Sequence, residues 1–149
     1  MNLTRLEELR DELEISKKKI ANDLGISDSV YGRWENDRFL IPTRRLYQLG
    51  NYFQVNIDYI LRLTDVRISI KSEKKIDLNL VSKRLKEIRT DLNCTLRELT
   101  NDLHTSSSTW SAYETGKVLV LSAFLIQICQ KENFSIDWIL GRSDEKYRK

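Results

Sequence analysis

Hydrophobic residues recur at three- and four-residue steps along most of this chain. Two clear series are Leu3, Leu6, Leu9, Leu13 and Leu85, Ile88, Leu92. Because an α-helix turns once in about 3.6 residues, this spacing places the apolar side chains on one face of an amphipathic helix. The pattern predicts an all-α fold.

The helical pattern occurs twice, because the chain contains one module in two copies. A shift of 79 residues aligns residues 5–65 with residues 84–144 without a gap, and 19 of the 61 aligned positions are identical. Chance would give about four identities at ordinary composition. The repeat predicts two tandem domains of the same fold, at residues 1–65 and 81–149.

Residues 66–80, between the copies, follow a different pattern. Two short runs alternate with polar residues: Val66, Ile68, Ile70 and Ile76, Leu78, Leu80. Alternation of this kind predicts extended chain. Two interpretations remain open, namely a short hairpin that spaces the domains, or a linker whose apolar residues pack on one of them.

Small polar residues mark where several of the five helices predicted in each copy begin. Ser16 and Thr95 are candidate N-caps of the second helix, and Ser27 and Ser106 are candidate N-caps of the third. Gly25 supplies the left-handed residue that ends the second helix of copy one. The result is a helix, a tight turn and a helix.

The remaining boundaries are less regular. His104 stands where copy one has Gly25, so copy two either accepts a small left-handed strain or alters the turn. The fourth helix of copy one is expected to start at Pro42 and Thr43. Its fifth helix is expected to open at Asn56 or Asp58.

Composition and charge narrow the class of protein. The chain has 149 residues, a net charge of +3 and a pI near 8.8, with 40% hydrophobic and 32% charged residues. This balance is typical of a globular helical protein, and the positive charge weakly favours an anionic partner. No apolar run approaches the roughly 18 residues of a membrane span. Residues 1–10 are charged and amphipathic rather than a signal peptide, so we expect a cytoplasmic protein with no membrane partner.

Several ordered motifs in both copies point to one family. Copy one carries Leu24-Gly25-Ile26-Ser27, Trp34-Glu35-Asn36 and Ile57-Asp58-Tyr59-Ile60-Leu61, and copy two carries Tyr113-Glu114-Thr115-Gly116 and Ile136-Asp137-Trp138-Ile139-Leu140-Gly141. Both copies resemble the lambda-repressor-like Cro/CI (XRE) helix-turn-helix family. The resemblance implies that the third helix, Ser27 to Glu35, lies in the DNA major groove and that the second helix crosses the backbone. It also implies structural ion pairs of Arg10 with Glu35 and of Arg89 with Glu114.

The outward face of the third helix supplies candidates for contact with bases. Side chains near its front and one turn later point away from the face that buries Tyr31 and Trp34. The candidates are Asp28, Ser29, Gly32 and Arg33. An arginine can make a bidentate contact to guanine, a serine can bond several base edges, and a carboxylate can accept from cytosine.

Phosphate contacts are expected at the ends of the second and fourth helices, where unpaired N–H groups and nearby cations favour anions. The candidates in copy one are Lys17, Lys18, Asn36, Arg38, Arg44 and Arg45. Residues 1–65 hold 10 basic and 11 acidic residues, so the phosphate-binding hypothesis rests on the clustering of the cations and not on the total charge.

Copy two lacks most of these cations. Five basic positions change: Lys17 to Leu96, Lys19 to Glu98, Arg33 to Ala112, Arg44 to Ala123 and Arg45 to Phe124. Residues 118–128 are far more apolar than one buried helix face needs, and such a surplus often marks an interface. The candidate contacts are Val120, Leu121 and Phe124. Two alternatives remain, a deeper core, or DNA binding by both copies through Ser107, Ser108 and Lys117.

Residues suited to catalysis are sparse. His104 is the only histidine, which excludes the usual triads and multi-histidine metal sites. Cys94 and Cys129 lack metal-ligand spacing and are expected to be small core residues. The three tryptophans are expected to fill the cores. We expect no enzyme activity, no metal site and no cofactor.

The leading hypothesis is a sequence-specific, double-stranded DNA-binding transcriptional regulator, with repression as the expected mode. A homodimer would contact half-sites about one helical turn, or a multiple of it, apart. No small-molecule ligand is evident. One alternative is a protein-interaction module, such as an antitoxin or adaptor, and another is a single chain that contacts both half-sites.

Overall fold

The computed structural model describes residues 3–149, so Met1 and Asn2 of the predicted first domain lie outside it. Within the described range the chain is all-helical, with five α-helices in each copy and no strand. The first copy holds α1 (Leu6–Glu12), α2 (Lys17–Leu24), α3 (Asp28–Asn36), α4 (Thr43–Phe53) and α5 (Ile57–Ile60), with a short 3-10 helix at Arg38–Leu40. The predicted all-α fold is confirmed.

The second copy repeats this order. It holds α6 (Leu78–Asp91), α7 (Leu96–Leu103), α8 (Ser107–Glu114), α9 (Ser122–Lys131) and α10 (Ile136–Ile139). The chain divides into two compact units, one of residues 1–73 with Lys149 and one of residues 74–148. These are called unit 1 and unit 2 below. The boundary falls inside the predicted linker.

The predicted caps form. The Ser16 hydroxyl accepts from the Lys19 backbone N–H at 3.0 Å, and the Ser27 hydroxyl accepts from the Val30 N–H at 3.2 Å. Gly25 is left-handed with φ 73°. These interactions satisfy N–H groups that a helix start leaves unpaired, and they fix the tight turn between α2 and α3.

The turn of unit 2 keeps the same geometry without glycine. His104 adopts φ 56°, so this unit accepts the left-handed conformation instead of altering the turn. A capping box stabilises the start of α7. The Thr95 hydroxyl accepts from the Glu98 N–H at 3.1 Å, and the Glu98 carboxylate accepts from the Thr95 N–H at 3.0 Å.

Each unit has its own core. Leu6, Ile20, Tyr31 and Leu46 are fully buried in unit 1, and their counterparts Leu85, Leu99, Trp110 and Leu125 are buried in unit 2. Trp34, Trp110 and Trp138 are buried and Cys129 is fully buried, whereas Cys94 is half-buried. The amphipathic series of α1 is only partly correct, because Leu3 precedes the helix and Leu13 follows it, and both are exposed.

The predicted linker does not form a hairpin, and its first run agrees with the other interpretation, a linker that packs on one domain. Its first run packs on unit 1, where the Asn56 N–H donates to the Ile68 carbonyl at 3.0 Å and the Ile70 N–H donates to the Gln54 carbonyl at 3.1 Å. The prediction that its second run is extended chain was wrong. Leu78 and Leu80 lie in α6, because Asp77 accepts from the N–H groups of the first helical turn.

A cation clamps the extended segment that closes each unit. The Arg67 guanidinium binds the Glu12 carboxylate at 2.8 Å and lies 5.9 Å from the Tyr59 ring centre. At the equivalent place in unit 2, Lys146 binds the Asp91 carboxylate and lies 5.4 Å from the Trp138 ring centre. The module therefore includes the extended segment beyond its fifth helix.

No helix within residues 3–149 is long and apolar enough to cross a membrane.

Candidate nucleic-acid interface

A buried ion pair fixes the orientation of α3 in unit 1. The Arg10 guanidinium donates to the Glu35 carboxylate at 2.9 Å, and the Glu35 side chain is only 3% exposed. The hydrogen bond to Glu35 raises the pKa of Arg10. The Thr4 hydroxyl also donates to the Glu35 carbonyl at 2.9 Å. The end of α3 is thus anchored to α1 and to the chain before it.

The equivalent pair is present in unit 2. The Arg89 guanidinium donates to the Glu114 carboxylate at 2.8 Å, and the Trp110 indole N–H donates to the same carboxylate at 2.8 Å. Both structural ion pairs implied by the family resemblance are therefore formed. Because losing one partner leaves a poorly solvated charge, these residues serve the fold.

The outward face of α3 carries the predicted base-contact residues on the surface. Asp28, Ser29 and Arg33 are exposed, and Gly32 faces open space where an added Cβ would meet nothing within 4 Å. The Ser29 hydroxyl lies 3.3 Å from that of Ser27. Among residues 3–149 the Arg33 side chain has no hydrogen-bond or ion-pair partner. A guanidinium on this face is free to bind a ligand.

An open groove runs between α2 and the start of α3. Its lining includes Lys18, Lys19, Asn22, Ser27 and Asp28. Lys19 is engaged with Asp23 at 2.9 Å, whereas Asn22 is exposed on α2. Asn22 was not among the predicted site residues. Asn22 lies one helical turn after Lys18 on α2, so the two side chains share one face of that helix.

Lys18, Asn36 and Arg44 are the phosphate candidates that are open to a ligand. All three are exposed, and within the described part of the chain their side chains have no hydrogen-bond or ion-pair partner. Lys17 is also exposed, but its ammonium lies 4.0 Å from the Glu35 carboxylate. It therefore shares its charge with the α1–α3 ion pair.

Two predicted phosphate ligands are instead bound within the fold. The Arg38 guanidinium donates to the Leu61 carbonyl at 2.8 Å, and burial lowers the pKa of Arg38. The Arg45 guanidinium donates to the Leu24 carbonyl at 2.7 Å and to the Gln48 amide oxygen at 2.8 Å. Arg45 thereby ties α4 to the end of α2. The sequence shows both charges but not these long-range partners.

Unit 2 presents a less charged version of the same face. Ser107, Ser108 and Lys117 are exposed. The Ser108 hydroxyl lies 3.1 Å from that of Ser106, and the Ser107 hydroxyl lies 3.4 Å from that of Thr100. Where unit 1 has Arg33, unit 2 has the half-exposed Ala112.

The predicted interface residues of unit 2 separate into core and surface. Val120 is 1% exposed at the position equivalent to the fully buried Ile41, so its choice as a surface contact is corrected. Leu121 is 58% exposed, and Val118, which the sequence did not single out, is 52% exposed. Phe124 is half-buried, with its ring centre 6.1 Å from that of Trp110.

The fold and this face define the class: each unit is a helix-turn-helix domain with α2 and α3, or α7 and α8, as its paired helices. The family model described as a helix-turn-helix domain matches residues 4–66 and again residues 82–145. The chain therefore belongs to this family, and the predicted resemblance is confirmed.

One curated relative supports the assignment. The protein named "Uncharacterized HTH-type transcriptional regulator YobD", from Bacillus subtilis (strain 168), is 35% identical over 65 residues. The match covers 44% of this chain but 58% of the relative, so the chain spans less than two thirds of that protein. No solved structure matches the chain significantly.

Proposed function

We propose that this protein is a transcriptional regulator that binds double-stranded DNA in a sequence-specific way, with α3 of unit 1 in the major groove. The observation that carries the proposal is the set of exposed cations on α2, α3 and α4. Arg33, Lys18 and Arg44 have no partner among the described residues, whereas Arg10, Arg38 and Arg45 are bound within unit 1. The relative's name, a transcriptional regulator, supports the same function.

Base recognition is assigned to the outward residues of α3. Arg33 donates two hydrogen bonds to guanine, and Ser29 bonds whichever base edge lies opposite it. Asp28 accepts from cytosine and repels phosphate, so it contributes selectivity rather than affinity. Gly32 leaves room for the helix to approach the base edges, because it carries no side chain.

Phosphate binding is assigned to residues that flank α3. Lys18 and Asn36 belong to α2 and the end of α3, and Arg44 lies in the first turn of α4. The positive end of the helix dipole at the start of α4 favours an anion near Arg44. Because each neutralised phosphate releases condensed counterions, the affinity falls steeply with salt concentration.

Unit 2 is proposed to contribute little to base recognition, because Ala112 and Ala123 replace Arg33 and Arg44. The chain is then a homodimer that places two copies of unit 1 on a two-fold symmetric operator. The regulatory mode is repression, in which the bound protein sterically blocks other proteins from the same DNA.

Selection of bound duplexes from a random pool at two salt concentrations tests this function. We expect one enriched motif with two-fold symmetry, and an affinity that falls with salt. Equal recovery of all sequences at both salt concentrations would contradict it. A single unsymmetric motif would instead favour a chain that uses both units on one site.

A protein-interaction module is the second candidate function. The exposure of Val118 and Leu121 on unit 2 favours it, because large apolar side chains in water often mark a contact with another protein. Copurification of a stoichiometric partner, together with negligible and salt-insensitive binding to duplexes, would establish this function in place of the first.

A further inference from the structure

We propose that a second copy of this chain docks on unit 2, at the surface formed by the loop between α8 and α9 and by the first turn of α9. This surface, called the α8–α9 face, consists of Ala112, Val118, Leu121, Ala123 and Phe124. The inference deepens the proposed function, because it names the surface that joins the two chains of the proposed homodimer.

The α8–α9 face is apolar at its centre and rests on a rigid base. Val118 and Leu121 are more than half exposed although both are aliphatic. In the first turn of α9 the Phe124 ring packs against Trp110 and Tyr113, with its centre 6.1 Å and 6.2 Å from theirs. Trp110 and Tyr113 also meet edge to face at 5.3 Å. Packed aromatic rings hold the surface in one shape, which lowers the entropic cost of association.

Charge identifies the occupant of this face. Unit 1 exposes an apolar residue, Phe39, at the position equivalent to Val118, but there the Arg38 guanidinium lies 5.4 Å from the Phe39 ring centre. Arg33 and Arg44 also stand at the positions of Ala112 and Ala123. Two such basic faces would repel each other, and a duplex would suit them better.

In unit 2 the positions of Arg33 and Arg44 are held by the neutral Ala112 and Ala123. Lys117 is the cation that remains in the loop between α8 and α9. Across a two-fold axis each residue lies near the same patch of the other chain, so this apolar face, with Lys117 as its one loop cation, meets less like-charge repulsion than the corresponding face of unit 1 would. An anionic partner such as DNA would find few countercharges there. A second copy is therefore the occupant to which the charge distribution is suited.

Sedimentation of the full chain without DNA tests the proposal. We expect the wild type to be dimeric in the micromolar range, and Leu121→Glu to raise the dimer dissociation constant at least tenfold. Ala123→Arg restores the residue type of unit 1 and should weaken the dimer similarly by like-charge repulsion. Leu13→Glu is the matched control, because Leu13 is 53% exposed in unit 1 and Leu121 is 58% exposed. This control should leave the dimer intact.

Circular dichroism establishes that each variant is folded before its sedimentation is compared. A monomeric wild type overturns the proposal, and so does a dimer that neither Leu121→Glu nor Ala123→Arg weakens. The DNA-binding proposal is tested separately, because a monomeric Leu121→Glu variant should still bind a duplex that holds one half-site. If the folded wild type does not bind a duplex that holds one half-site, this result counts against DNA recognition and not against the docking surface.

Discussion

Arginine side chains in unit 1 show how their surroundings separate free cations from structural ones. Arg10, Arg38 and Arg45 each donate to a carboxylate or a carbonyl within the unit. Arg33 is exposed and lacks such a partner among residues 3–149. The sequence already marks Arg10 as half of an ion pair and Arg33 as an outward residue, but only the folded contacts show that Arg38 and Arg45 are bound within unit 1.

Substitution of Arg33 should relax specificity. A bidentate contact to guanine discriminates by about 1 to 3 kcal/mol, so Arg33→Ala should lower the preference for the selected duplex over a one-base variant by about 5- to 150-fold. Lys18→Ala is the comparison, because loss of a phosphate contact weakens binding to all sequences about equally, and loss of one in each subunit reduces the salt slope by about 2. Competition titrations with both duplexes measure the two effects. Equal losses of specificity in the two variants would refute the assigned roles.

Tyr52 gives unit 1 a dependence on alkaline pH. Burial and the hydrogen bond from its hydroxyl to Asp23, 2.8 Å long, raise the pKa of Tyr52 to about 12 from an ordinary 10.0. The raised pKa means that the folded state holds the proton more tightly. The stability contributed is therefore fully present below about pH 10 and is lost as the pH rises through about 12.

Tyr52→Phe should remove this contribution. The free energy of unfolding of the variant should be lower than that of the wild type at neutral pH, because one hydrogen bond of about 1 kcal/mol is lost. The difference should shrink as the pH rises from about 10 to about 12. Urea unfolding at several pH values measures it. A constant difference across this range would show that the Tyr52 proton is not linked to folding.

At the scale of elements, the local signals in the sequence predict most helix boundaries. Ser16, Ser27 and Gly25 form the caps that their residue types favour. Asn56 is different, because its side chain donates to the Val66 carbonyl and accepts from the Ile68 N–H instead of capping α5. The linker was harder to predict, because alternation over three apolar residues fits both extended chain and the start of a helix.

Sequence predicted the candidate site less completely than the fold. The outward residues of α3 follow from helix periodicity, and their exposure agrees with it. The roles of Arg38 and Arg45 depend on the carbonyls of Leu61 and Leu24, which lie 23 and 21 residues away along the chain. Val120 was misassigned because an apolar run alone does not distinguish a core position from an exposed one.

The turn residue offers a reciprocal test of the two helix-turn-helix elements. His104→Gly should stabilise unit 2 by about 0.5 to 1 kcal/mol, because glycine adopts the left-handed conformation without the steric cost of a side chain. Gly25→His should destabilise unit 1 by a similar amount. Thermal unfolding followed by circular dichroism measures both. A loss of stability in His104→Gly would mean that the His104 side chain itself stabilises the turn.

At the scale of the whole molecule, the duplication allows the same fold to be compared with two different surfaces in one chain. Both units keep the ion pair from the first to the third helix and the cation that clamps the closing segment. They differ in the charges on the outward face. The proposed division of labour therefore follows from surface substitutions on a retained fold, with DNA recognition in unit 1 and self-association in unit 2.

The salt dependence of binding should be set by unit 1. Lys18→Ala with Arg44→Ala should reduce the slope of log affinity against log salt by about 4, since each phosphate contact contributes about 0.9 and the proposed dimer carries each residue twice. Lys117→Ala in unit 2 should leave the slope unchanged. Fluorescence anisotropy at a series of salt concentrations measures the slope. An equal reduction from Lys117→Ala would indicate that both units bind phosphates.

Photocrosslinking from equivalent positions of the two units tests the central claim most directly. Ser29 and Ser108 occupy the same place on α3 and α8, and both are exposed. A photoreactive residue at either position of the full chain can be irradiated on the selected duplex. We expect crosslinks to bases from position 29 and none from position 108. Crosslinks from position 108 with none from position 29 would contradict it.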